Sequence, residues 1–260
     1  MNIIDRSAYK LGARPHVHDA RVLPMARYVS SLALQWPSAR DHAAPMRAYP
    51  MRLNDSIGDC VIVALINWIV TNHWLATGEI IEFDDAVALA VYVRESGYNG
   101  TDPNTDVGCV PSQAFGDFAA GRFEGLGLKG HTPRVALSCN DLILPAIYFF
   151  GATPLQLALP RSAQSQQIWD VPLGQPLTGD FEPGSWGQHE VLAVSYDEAG
   201  NIDVITWAER LRMTMRFASV YVLQATAIVS DEMLRADGKS FEGFDVDALV
   251  TDARRIGAME

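Results

Sequence analysis

Asn54-Asp55-Ser56-Ile57-Gly58-Asp59-Cys60 leads directly into an apolar run from Val61 to Val70, interrupted only by Asn67. The thiol thus stands at the start of a buried helix, at the positive end of the helix dipole, where the nucleophilic thiolate is favoured. A structural cysteine more often lies inside such a run than at its glycine-punctuated start. Far downstream, Gly184-Ser185-Trp186-Gly187-Gln188-His189 opens a second apolar run, Val191 to Val194. A cysteine before a helix and a histidine before a strand is the layout that thiol catalysis needs.

The 260 residues suffice for one large domain or two lobes sharing an interface, and 48% hydrophobic with 20% charged residues is ordinary for a globular protein. A formal net charge of −11 argues against general binding of nucleic-acid phosphates and against docking on anionic membranes. Cys60, Cys109 and Cys139 cannot all pair within one chain, and no CxxC unit suggests a zinc ribbon or a disulfide framework. The first residues carry no basic region followed by a long apolar stretch, so no secretory signal is expected. The longest apolar runs read as too short to span a bilayer, which makes the reducing cytoplasm the expected compartment.

Outward from Cys60, the chain divides into a helical half and a β half. Residues 1 to about 50, with five prolines, read as an extended lead-in that wraps over the main body. Within it, His16-Val17-His18-Asp19 has no third ligand group nearby, so no metal is expected there. Helices are expected from Gly58 to Thr77, stopped by Gly78, from Asp84 to Glu95, and from Pro111 to near Gly121. A short helix from Leu142 to Tyr148 precedes a strand-rich stretch from Phe149 to Leu159, in which Pro154 argues against a continuous ladder. Residues 160–188 read as a long loop, of the kind that forms lids and rims. Strands are expected over Val191–Tyr196, Ile202–Trp207 and Tyr221–Val229, with a hairpin turn at Asp197–Asn201. A polar tail follows from Asp231, helical near Asp245–Arg255.

In this order the residues resemble the papain-like cysteine peptidase superfamily. That family carries an oxyanion-hole glutamine six residues before its nucleophilic cysteine, which starts the central helix; Asn54 lies six residues before Cys60. Its histidine stands where a glycine-rich segment enters a strand, similar to Gly187-Gln188-His189-Glu190-Val191-Leu192-Ala193-Val194-Ser195-Tyr196. Asp106 to Ser112 is similar to the loop introducing a later helix, and Leu142 to Leu159 to a short helix and the strand supporting the cleft. In detail the chain resembles divergent papain-like proteins of bacteriophages and prophages, which carry Asn-Asp-x-x-Gly-Asp-Cys and a later Thr-Trp-x-x-x-x-x-Met-Thr. Here these are Asn54 to Cys60, and Thr206-Trp207 followed by Met213-Thr214.

The resemblance implies an α+β, papain-like two-lobed fold: a helical lobe over about 51–130, an antiparallel β lobe over about 131–230, and the cleft between them. Residues 1–50 form the lead-in and 231–260 the tail. It implies a peptidase or amidase with Cys60 as nucleophile and His189 as general base, while Asn54 and the Cys60 N–H bind the oxyanion. Asp55 and Asp59 oppose a reactive thiol by raising its pKa, and Asp59 is also a candidate helix cap. Trp207 is expected to pack around the histidine, and Cys109 and Cys139 to be ordinary buried thiols.

One departure stands out. The family's imidazole-orienting asparagine is replaced by Ile205, which cannot accept an N–H. Thr206, a backbone carbonyl or Asp203 then takes over, or the enzyme runs on a bare Cys–His pair, or catalysis has been lost. The expected partner is a peptide or protein, with cell-wall peptide amides as the phage variant of that substrate and no cofactor. The alternative is a catalytically weak or inactive papain-like protein that serves as a phage structural or host-factor-binding component, in the virion or the host cytoplasm. Acyl transfer or deamidation of a protein side chain would use the same Cys–His chemistry.

Overall fold

The computed structural model describes residues 4–29, 35–44, 46, 48–128, 133–235 and 237–255. Its first part holds β1 (Val22–Pro24), α1 (Ala26–Val29), β2 (Arg40–Asp41), α2 (Cys60–Thr77), α3 (Asp85–Ser96) and α4 (Pro111–Ala119). The second part holds β3 (Pro133–Ser138), α5 (Ile143–Phe150), β4 (Thr153–Leu159), β5 (Ile168–Trp169), β6 (Gly187–Tyr196), β7 (Ile202–Thr206), β8 (Glu209–Met213), α6 (Met215–Tyr221), β9 (Val222–Ser230) and α7 (Asp247–Arg255). The strands form one sheet in the order β1-β3-β9-β4-β6-β7-β8-β5, with β2 also paired to β6. Two pairings, β1 with β3 and β5 with β8, are parallel, and the others are antiparallel.

Helix α2 forms because its residues from Cys60 to Asn72 have one shared way out of water. All of them are buried, and each large aliphatic side chain contributes roughly 1.5–3 kcal/mol by burial. The helix packs on β6, β4 and β7, and Trp68 meets Phe118 of α4 edge-on at 5.9 Å. It ends at Gly78, whose φ of 75° lets its N–H turn back to the Trp74 carbonyl. By length and composition α2 could cross a membrane, contrary to the expectation from the apolar runs alone. Its burial inside the protein makes it the core helix instead.

Several elements differ from the sequence expectation. Pro154 is paired in a continuous β4, opposite Leu192, because the pairing of β4 with β9 covers only Leu155–Leu157 and asks no N–H of the proline. Strand β6 begins at Gly187, so His189 lies within the strand and not ahead of it. The expected strand at Tyr221 is the last residue of α6, which is capped by Thr214 Oγ1 accepting from the Phe217 N–H at 3.1 Å. Strand β8 has no counterpart among the expected strands, although Glu209-Arg210-Leu211-Arg212-Met213 does alternate, with Leu211 and Met213 buried and Arg210 and Arg212 turned outward.

Candidate active site

Cys60 is the first residue of α2, and its side chain is fully buried. The backbone amides of Glu190, on β6, and of Gly12, in the lead-in, both reach the thiol and partly stabilise its charged form. Burial outweighs them and pushes the Cys60 thiol up to about 12. The helix start therefore does not yield a thiolate in this conformation, because desolvation of the sulfur outweighs the dipole. Asp59 does not cap the helix with its side chain. Its carboxyl oxygens are buried without a hydrogen-bond partner, and burial raises its pKa to about 8.

His189, next to Glu190 on β6, is also fully buried. Its Nε2 lies 2.6 Å from Thr206 Oγ1, on the neighbouring strand β7, and its Nδ1 has no hydrogen-bond partner. With Nε2–H donating to Thr206, the basic lone pair sits on Nδ1. Of the residues considered for the place of Ile205, Thr206 is the one whose side chain is bonded to the imidazole. Asp203 cannot orient the imidazole, because its carboxylate is already engaged. It accepts from Arg210 at 2.9 Å, Arg212 at 2.8 Å and Ser195 Oγ at 3.0 Å. Burial lowers the His189 pKa to about 3, so the imidazole rests neutral.

Trp207 lies flat on the imidazole, with centroids 4.2 Å apart and an interplanar angle of 14°. This placement comes from the tight turn between β7 and β8, where Trp207 (φ 45°) and Ala208 (φ 60°) both take left-handed backbone. A two-residue hairpin needs positive φ at both positions and normally uses Asn or Gly there. Using Trp and Ala costs on the order of 1–3 kcal/mol per residue and aims the indole at His189. Left-handed backbone recurs at Arg52 and Leu53, the central residues of the turn closed by Asn54 N–H donating to the Met51 carbonyl at 3.1 Å. Asn54 is 1% exposed and its Oδ1 has no partner. Along the chain it stands six residues before Cys60.

The lead-in crosses the site. Arg6 binds Glu209 at 2.6 Å and the Gln166 carbonyl at 2.9 Å, and Tyr9 packs on Trp207 at 5.3 Å. Gly12 then passes between Gly58 and Gly108, so close that a Cβ on Gly12 would stand 1.8 Å from the Gly58 carbonyl oxygen. The Gly12 carbonyl accepts from Cys109 N–H at 2.9 Å, and Arg14 N–H donates to the Cys109 carbonyl at 2.8 Å. On the other side, Ala13 N–H donates to the Gln188 carbonyl at 3.3 Å. The strap therefore bonds both the loop beside Cys60 and the residue before His189. Cys109 and Cys139 are buried thiols as expected, but the backbone of Cys109 holds the strap. The proline-punctuated lead-in signalled wrapping; nothing local in it signalled what it would cover.

No family model matches the chain, and no curated protein sequence is detectably similar to it. Solved structures do share its fold. Xylellain, a cysteine protease from Xylella fastidiosa, is 16% identical with a TM-score of 0.62, over 88% of this chain and 98% of that one. Procathepsin B from Trypanosoma congolense is 10% identical with a TM-score of 0.56, over 87% of each chain. A structure from a study of the mite allergens Blo t 1 and Der p 1 is 12% identical with a TM-score of 0.52, over 80% of this chain and 74% of that one. With its central helix, mostly antiparallel sheet and buried thiol, the chain has the fold of the papain-like cysteine proteases.

Proposed function

We propose that the chain is a papain-like cysteine peptidase resting under its own residues 6–14. The observation that carries this reading is the imidazole. Thr206 holds Nε2, Trp207 fixes the ring plane, and Nδ1 is left as the base in the segment whose next backbone N–H reaches the Cys60 thiol. In the reaction His189 Nδ1 takes the Cys60 proton and the sulfur attacks the amide carbonyl. The oxyanion is bound by the Cys60 N–H and the Asn54 amide. The imidazolium then protonates the leaving amine, and water hydrolyses the thioester with His189 again as base.

Burial under the strap accounts for the neutral resting pair, since it opposes both the thiolate and the imidazolium. Lifting residues 6–14 would return water to both groups and let the proton pass from sulfur to nitrogen. The Asn54–Cys60 and Thr206–Thr214 motifs support a place among phage-type relatives, with cell-wall peptide amides as the corresponding substrate.

The test is alkylation of Cys60 by iodoacetamide and by an epoxide peptidyl probe across pH, in wild type, Cys60→Ala and His189→Ala. The expected result is probe incorporation that needs both residues, with a rate profile shifted by His189→Ala. A Cys60 that reacts like a free thiol, indifferent to His189→Ala, would refute the proposal.

A further inference from the structure

An open cleft of about 460 Å3 lies where the lead-in crosses helices α3 and α4, and its lining is polar throughout: Arg21, Arg94, Glu95, Gln113, Asp117 and Arg122. Arg21 belongs to the lead-in and Arg94 and Glu95 to α3. Gln113 and Asp117 stand on successive turns of α4, and Arg122 in the turn that follows it. Three guanidiniums thus meet at one place in a chain whose net charge is −11.

Two of them are fixed by the protein. Arg21 is gripped by Asp19, Nε to Oδ1 at 3.0 Å and Nη2 to Oδ2 at 2.7 Å, and its Nη1 donates to Asp117 Oδ1 at 3.1 Å. It fits there because residue 116 is glycine: a Cβ on Gly116 would stand 2.6 Å from Arg21 Nη2. Arg122 Nη1 lies 3.2 Å from the same Asp117 oxygen. The other groups are unspent. Among the described residues Arg94 makes no hydrogen bond or ion pair, which leaves all five of its N–H donors open, and the Glu95 carboxyl and Gln113 amide are likewise unbonded.

Guanidiniums that reach one space from three segments suit a tetrahedral oxyanion, which presents acceptor oxygens in several directions and takes arginine forks two bonds at a time. A planar carboxylate would satisfy one fork, and a cation would face three like charges. We propose that Arg21, Arg94 and Arg122 bind the phosphate group of a small molecule in this cleft, with the Gln113 amide as a further donor. Glu95 opposes the anion while ionised; burial already raises its pKa, with Asp117 adding to the effect, so proton uptake on binding removes the conflict. Because Arg21 is part of the lead-in, a bound phosphate ties the lead-in to α3 and α4 and holds residues 6–14 in place. That tie rests on the strapped resting state; the binding does not.

The test titrates the full-length chain with inorganic phosphate, phenyl phosphate, sulfate and acetate at constant ionic strength, read by isothermal calorimetry. The three tetrahedral anions should bind at one site and acetate should not. Phenyl phosphate tighter than inorganic phosphate marks an ester as the occupant; the reverse marks the free ion. Arg94→Ala, which removes no bond within the protein, should weaken phosphate at least about tenfold. Glu95→Gln should tighten it, and Arg254→Ala, at an exposed position of α7, should leave it unchanged. Phosphate binding weaker than about 10 mM, or lowered equally by Arg94→Ala and Arg254→Ala, overturns the site. The tie is read by iodoacetamide alkylation of Cys60, which saturating phosphate should slow at least about threefold in wild type and not in Arg94→Ala. Unchanged alkylation with phosphate bound overturns the tie, and the peptidase reading stands in either case.

Discussion

Gly12→Ala puts the strapped resting state to a direct test. The new Cβ would stand 1.8 Å from the Gly58 carbonyl oxygen and 2.5 Å from Gly58 Cα, against an ordinary contact of at least 3.4 Å. Those are backbone atoms of the turn that carries Cys60, so no side-chain rotation relieves the clash and the strap must lift. Its local hold is four hydrogen bonds: Cys109 N–H to Gly12, Arg14 N–H to Cys109, Ala13 N–H to Gln188, and Gln156 Nε2 to Arg14. At a net ~1 kcal/mol each they favour closure by about 4 kcal/mol, which keeps the thiol reachable roughly one part in a thousand. The assay is iodoacetamide alkylation at fixed pH, followed by mass spectrometry of the Cys60 peptide, with buried Cys139 as internal reference. Gly12→Ala should raise the Cys60 rate by roughly 10²- to 10³-fold and leave Cys139 unchanged. No acceleration, or equal acceleration at both thiols, would mean that the strap is not what shields Cys60.

Two further outcomes follow from the same geometry. Thr206→Val keeps a β-branched strand residue but removes the acceptor at His189 Nε2, so kcat should fall about 10- to 100-fold with KM little changed, and Thr206→Ser should restore it. Asp59 has a folded pKa of about 8, above its ordinary 3.8, so the folded state holds a proton that the unfolded state has lost between those values. Its contribution to stability is fully present below pH 3.8 and declines as pH rises towards 8, by about 4 kcal/mol between pH 5 and pH 8. Urea unfolding should show Asp59→Asn gaining on wild type by an amount of that order over the interval; a constant difference would refute the burial of an unpartnered carboxyl.

Much of the architecture was legible because it rests on local signals. The apolar run after Cys60 defines α2, Gly78 ends it, and the apolar run Val191–Val194 marks β6. Strand β8 was hidden because its charged positions masked a period of two, and Pro154 misled because whether a proline breaks a ladder depends on which edge faces a neighbour. For the hydrogen-bond partner of His189 the sequence offered a short set of candidates that included Thr206, the one bonded to it. Choosing among them required knowing that Arg210 and Arg212 occupy Asp203.

By itself the sequence singled out Cys60 and His189 as the candidate reactive groups, and the helix and strand that present them, since helix starts and strand periods are properties of neighbours along the chain. Only the tertiary structure decided their state. Burial and charge depend on what is packed from elsewhere: the backbone amide of Gly12, 48 positions before Cys60, comes to the thiol, and Trp207 stacks on the imidazole. A thiol favoured for ionisation by its place in the chain is held neutral by burial, which no local pattern could have shown.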